Sequence, residues 1–163
     1  MTINIVEETR RSFRPERITT LFVGESAPAG GDFFYYGKSA MTRYMREVIE
    51  NAFGKTDDFL STFKGYGWYL DDLALIPVDK LPKPERLRIC AEAQTGLTER
   101  IIAYQPQAIV TVLLSVKENV EAAAVAAGCT AVRYAVPFPG MGQQGRFKRE
   151  MEAIVHELPR LPI

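Results

Sequence analysis

The sequence predicts an α/β fold, a three-layer α/β/α arrangement around a four-stranded, mainly parallel central sheet, in one domain spanning residues 1–163. Three observations predict it. Four short β-branched or apolar runs alternate with segments of helical period. Two of those runs end in glycine-rich loops. The run at 108–114 (AIVTVLL) is apolar throughout, as a strand covered on both faces requires.

Each element has its own warrant. After a polar leader at 1–17, residues 18–23 (ITTLFV) form an apolar run that stops at Gly24, a strand entering a turn. Residues 24–37 (GESAPAGGDFFYYG) hold too much glycine and proline for regular structure. Residues 38–53 place Met41, Tyr44, Met45, Val48, Ile49 and Phe53 at helical spacing, and Gly54 ends that helix. A short helix is expected at 57–64 and a second strand at 68–78 (WYLDDLALIPV). Pro84 suits the first turn of one long helix reaching Tyr104, with Leu87, Cys90, Ala91, Leu97, Ile101 and Ile102 facing inward. The strand at 108–114 is expected in the middle of the sheet, followed by an alanine-rich helix at 116–127 that Gly128 ends. A fourth strand at 130–136, a second glycine-rich loop at 137–145 (PFPGMGQQG) and a last helix at 146–158 complete the chain. Such alternation implies right-handed crossovers and ligand binding beyond the carboxyl ends of the strands, where both unusual loops fall.

Composition narrows the partners. Twenty basic residues balance twenty acidic ones, so no global field draws the molecule to nucleic acid or to an anionic membrane, and a polyanion would need a local patch. Cys90, Cys129 and the single histidine, His156, lack metal-ligand spacing, so no metal site and no cofactor is expected. His156, near the end of its helix, reads as structural or exposed, and both cysteines as small hydrophobes. No apolar run reaches membrane-spanning length and the first residues lack a signal peptide's apolar core, which predicts a cytoplasmic protein with no membrane partner.

The residues that carry chemistry cluster in the two loops. Gly37-Lys38-Ser39 has the letters that end a phosphate-binding P-loop, but Gly31 lies one residue too early and the intervening DFFYY is too bulky to wrap phosphates. Glu25 emerges at a strand end with Ser26 beside it and Phe33, Phe34, Tyr35 and Tyr36 close behind, which suits a flat polar heterocycle. Desolvation against those rings would make Glu25 a usable general base, whereas a solvated position leaves a surface charge. Phe33 and Phe34 serve equally well as core residues clamping the first helix. Asp71 and Asp72 alternate to opposite faces of their strand, so at least one needs a partner or water, unless the strand is an edge with a wet side. In the last loop Pro137, Pro139 and Gly140 narrow the backbone. Gln143, Gln144, Arg146, Lys148 and Arg149 crowd the following helix start, which either holds a phosphate or forms a solvated face.

Taken in order and spacing, TLFVGESAPAGGDFFYYG, WYLDDLALIPV, PQAIVTVLL and AVRYAVPFPGMGQQGRFKREM resemble the uracil-DNA glycosylase superfamily over most of the chain after Ile18. The resemblance implies that fold and hydrolysis of an N-glycosidic bond to a damaged or deaminated base in DNA. It implies that Gly24, Glu25, Ser26 and Pro28 stand at the water-positioning motif, and that Phe33 or Phe34 stacks on an extruded base. It further implies that Asp72 reads the base edge, that Pro139, Gly140 and Gln143 shape the pocket, and that Gln144, Arg146 and Lys148 hold flanking phosphate. Three departures mark a divergent branch. The last motif lacks its histidine, Pro28 sits one place late in the first motif, and aspartates stand where the family reads uracil with asparagine; two cysteines, besides, cannot build the four-cysteine cluster of one branch. Two alternatives stay open: a non-catalytic nucleotide or nucleic-acid binding module, and a nucleoside hydrolase or transferase acting on free metabolites.

Overall fold

Four strands lie side by side, all parallel, in the order β2-β1-β3-β4. They are β1 (Thr20–Gly24), β2 (Trp68–Asp72), β3 (Ala108–Thr111) and β4 (Val132–Ala135). The structure is a computed structural model and describes residues 4–162. β1 and β3 occupy the middle and are buried throughout, which explains the unbroken apolar runs LFV and AIV. The predicted strand at 68–78 is shorter than expected. It leaves the sheet after Asp72, where Leu73 and Ala74 donate backbone hydrogen bonds to the carbonyls of Gly24 and Glu25.

Seven helices connect and cover the strands among the described residues: α1 (Ile5–Ser12), α2 (Ala40–Phe53), α3 (Phe59–Gly65), α4 (Lys83–Glu92), α5 (Gln94–Tyr104), α6 (Lys117–Ala126) and α7 (Gln144–Ile154). The β1-to-β2 crossover runs one way across the sheet and the later crossovers run the other way. Right-handed connections therefore place α2 and α5 on opposite faces. α2 packs with α7 and α5 with α6, giving three layers. Ser39 starts α2 by accepting the Thr42 amide on its hydroxyl at 3.1 Å, and Asp58 does the same for α3 through Ser61.

Two expectations need correction. The helix predicted over 84–104 is two helices, divided by a turn at Ala93. Cys90, Leu97 and Ile101 are buried as expected, while Leu87, Ala91 and Ile102 face solvent. The polar leader contains α1, whose Arg10 is only 2% exposed and reaches into the end of the sheet.

The two ends of the sheet differ. At the amino ends of the strands one carbonyl, that of Pro159, accepts from the Thr19 and Thr20 hydroxyls and the Trp68 indole N–H, at 2.8, 2.9 and 2.8 Å, which seals that end with the C-terminal tail. The outer edge of β2 is closed by Tyr35, whose hydroxyl accepts from the Leu70 amide at 2.6 Å and donates to the Leu70 carbonyl at 2.9 Å. The carboxyl ends stay open, and the cavity lies there. No helix among the described residues is long and apolar enough to cross a membrane.

Candidate functional site

Every strand contributes to one cavity of about 450 Å³ at the carboxyl end of the sheet. β1 supplies Gly24 and the following Glu25 to Pro28; β2 supplies Leu70 and Asp72; Val112 and Leu113 follow β3; Phe138 and Met141 follow β4. The two loops that stand out in the sequence thus meet across the open end of the sheet, in the crevice where a parallel sheet of this order binds ligands. A volume of this size takes a single small ligand.

Glu25 is fixed by an arginine rather than by the aromatic wall. Arg86 of α4 donates to it from both Nε, at 2.8 Å, and Nη2, a bidentate pair that leaves the Glu25 side chain 10% exposed. The pair holds the guanidinium of Arg86 more firmly protonated than usual. Each carboxylate oxygen has a second lone pair, so Glu25 can accept further hydrogen bonds beside those from Arg86. Burial and the Glu25 carboxylate push the thiol of Cys90 upward, with Sγ 3.9 Å from Oε2, which keeps that cysteine unreactive. Ser26 also lines the cavity, and its hydroxyl accepts the Val78 amide at 3.1 Å, which ties the first loop to the segment after β2.

β2 is an edge strand, but both aspartates are buried, at 1% and 5% exposure, and Nη1 of Arg10 lies 3.8 Å from Oδ1 of Asp71 and 2.8 Å from Oδ2 of Asp72. Asp71 accepts from Arg100 of α5 at 2.6 Å, and Arg100 also donates to the carbonyls of Asp72 and Leu73. Asp72 accepts on Oδ2 from Arg10 of α1 at 2.8 Å. The two members of that pair respond differently. Burial opposes charge on both, yet Arg10 faces Asp72, Asp71 and Glu7 and is pushed upward. For Asp72 burial outweighs the attraction of Arg10, with Asp71 adding repulsion, and its carboxyl is pushed up to about 6. Asp72 lines the cavity, and its Oδ1, on the side of Gly24, makes no hydrogen bond among the described residues.

That carboxylate explains Gly24. A Cβ at position 24 would lie 2.6 Å from Asp72 Oδ1, which Arg10 holds in place. Gly24→Ala is therefore expected to lower stability by about 1–3 kcal/mol, read as a shifted urea midpoint. An unchanged midpoint would show that Asp72 is free to move.

The aromatic residues divide differently from the sequence expectation. Phe33 and Phe34 touch the cavity but are 2% and 4% exposed. Phe33 carries the Arg10 guanidinium 5.1 Å above its ring, and Phe34 packs on Tyr35, Phe59 and Phe63. The ring with free surface in the lining is Phe138, 41% exposed, and Gly140 makes room for it, since a Cβ there would meet the ring at 2.9 Å. Next to it Met141 is fully exposed at positive φ (52°), followed by Gly142 at 85°. A bulky residue held in that region costs on the order of 1 kcal/mol and marks a position worth explaining by function.

The helix start after this loop does not converge on the cavity. Gln143 precedes α7 without a side-chain cap, and Pro139, Gly140, Gln143 and Gln144 are absent from the lining. Arg146 turns to Glu150 at 2.5 Å and Lys148 reaches Glu47 of α2 at 3.5 Å, so both basic groups have carboxylate partners on the helix surface. Sequence reasoning missed Arg10, Arg86, Arg100, Phe138 and Met141. For the arginines no local signal exists, because their carboxylates are distant in the chain; for Phe138 the surrounding prolines and glycines were the available sign. In comparisons with known proteins no family model matches this chain, and no curated protein matches it.

Proposed function

We propose that the protein is a uracil-DNA glycosylase-like enzyme that takes one base into the cavity and hydrolyses its N-glycosidic bond, as in base-excision repair. The observation that carries this reading is the meeting of Glu25 with the second loop around one base-sized hollow. The strand order, with both loops at the carboxyl ends, agrees with the resemblance noted from the sequence. In this reading Glu25, oriented by Arg86, takes a proton from water as its oxygen attacks the sugar carbon, and the base leaves with the bonding electrons. Phe138 offers a ring face to the base, Asp72 Oδ1 meets its edge, and Met141 is an apolar wedge for the gap that an extruded base leaves in the stack.

The test is a panel of duplex oligonucleotides carrying uracil, hypoxanthine, xanthine or a mismatch, incubated with purified protein and scored for abasic sites by alkaline cleavage. Cleavage at one lesion is the expected result. No product with any lesion removes the DNA-repair reading. A specific observation supports a second reading, hydrolysis of free nucleosides. Asp32 and Asp79 line the cavity beside Glu25 and Asp72, while Arg146 and Lys148 are occupied by Glu150 and Glu47, which is a poor setting for phosphates. Salt-insensitive turnover of a nucleoside, with none of the oligonucleotide, would select it.

A further inference from the structure

The charges of the lining go further than its shape. Four acidic residues line the cavity, Glu25, Asp32, Asp72 and Asp79, against one basic residue among the described lining residues, Arg86. Arg86 is spent on Glu25, and Arg10 lies behind Asp72. Asp32 and Asp79 have no cationic partner among the described residues. A second observation points the same way: Asp72, 5% exposed, lines the cavity, and its Oδ1, on the side of Gly24, takes no hydrogen bond among the described residues, Arg10 bonding Oδ2. A carboxylate oxygen bordering a cavity accepts hydrogen bonds and repels carbonyl oxygens. The accessible ring of Phe138 completes a wall of π-face and anionic groups, which is how proteins bind flat cations.

We infer that the cavity selects a base carrying a positive charge on its ring, such as an N-alkylated purine, over neutral bases such as uracil. This inference rests on the glycosidic-hydrolysis reading for its chemistry, but not for its binding preference. The chemistry fits the lining. A neutral pyrimidine departs as an anion and needs positive charge to receive it, and the lining has no uncommitted cation to offer. A purine alkylated at its imidazole nitrogen departs differently. Water attacks the sugar carbon, the bond from that carbon to the ring nitrogen breaks, and the electron pair neutralises the ring cation. The proton of the attacking water passes to Glu25, and the products are a neutral base and a sugar hydroxyl.

The test separates binding from turnover. Calorimetric titration of the full chain with 7-methylguanosine and with guanosine compares one shape with and without the ring charge. The methylated nucleoside is expected to bind about tenfold tighter or more, with the gap narrowing at high salt. Asp72→Asn is expected to erase most of the preference. Asp32→Asn, at an exposed position, is expected to reduce it without disturbing the fold. In parallel, duplexes carrying 7-methylguanine or uracil are scored for abasic sites. Equal affinity for the two nucleosides, or no binding of either, overturns the inference, and so does faster release of uracil than of 7-methylguanine. Preference for the cation with no turnover of any duplex upholds the charge selectivity while removing the glycosylase reading.

Discussion

Arg10→Ala is expected to destabilise the protein by about 3–5 kcal/mol at neutral pH, the loss that follows when one partner of a buried ion pair is removed. Arg10 is 2% exposed, bonds Asp72 at 2.8 Å and Glu7 at 2.9 Å, and lies over Phe33. Its removal leaves Asp72 buried beside Asp71 with no direct counter-ion, since Arg100 bonds Asp71. The loss should depend on pH, with a definite sign. The Asp72 carboxyl is raised in the folded state, to about 6 from 3.8, even with Arg10 present. A raised carboxyl favours the folded state below the unfolded value, and that contribution is lost as pH rises through the folded value. Without Arg10 the carboxyl rises further, so the deficit should be largest at pH 7 to 8 and shrink toward pH 4 to 5. Urea unfolding of both proteins across that range is the measurement. A deficit that is flat with pH would mean that Arg10 acts by packing alone.

Glu25→Gln is expected to reduce single-turnover hydrolysis by about 10²–10⁴-fold on whichever substrate the oligonucleotide and nucleoside assays identify, the usual contribution of a general base. Glutamine keeps the size of the side chain and still accepts one hydrogen bond from Arg86, so the cavity should persist and substrate binding should change little. Arg86→Lys is the companion variant, because an ammonium cannot reproduce the bidentate hold seen from Nε and Nη2. A smaller loss is expected there, since the carboxylate survives but its orientation does not. If Glu25→Gln turns over within threefold of the wild type, Glu25 is not the base, and its pairing with Arg86 is a structural clasp.

Local pattern specified the sheet because each strand's cause is local. The runs at Thr20–Gly24 and Ala108–Thr111 are apolar on both sides, and glycine or a helical period follows each. The convergence of the two loops was legible too, since parallel strands joined by helices bring all their carboxyl ends to one side. What escaped is non-local. IVEETRRS reads as a polar leader because the partner that buries Arg10 lies 62 residues on. The turn that divides α4 from α5 falls on Ala93, a residue that favours helix. FFYY gives four rings of one kind, and only the packing of Phe34 on Phe59 and Phe63 assigns it to the core. Glu25 was legible as the acidic group of the site, but Arg86, which orients it, was not, because its place depends on how α4 crosses the end of the sheet.

The strand order also governs what happens while the chain is being made. β1 is interior, yet its two neighbours are synthesised at different times: Trp68 to Asp72 first, and Ala108 to Thr111 much later. At translation speeds of about 5–20 residues per second, the side of β1 that awaits β3 stays uncovered for seconds after the β2 side is occupied. During that interval the nascent polypeptide displays Leu21, Phe22 and Val23 beside bare backbone amides and carbonyls, a template to which other nascent chains can stick.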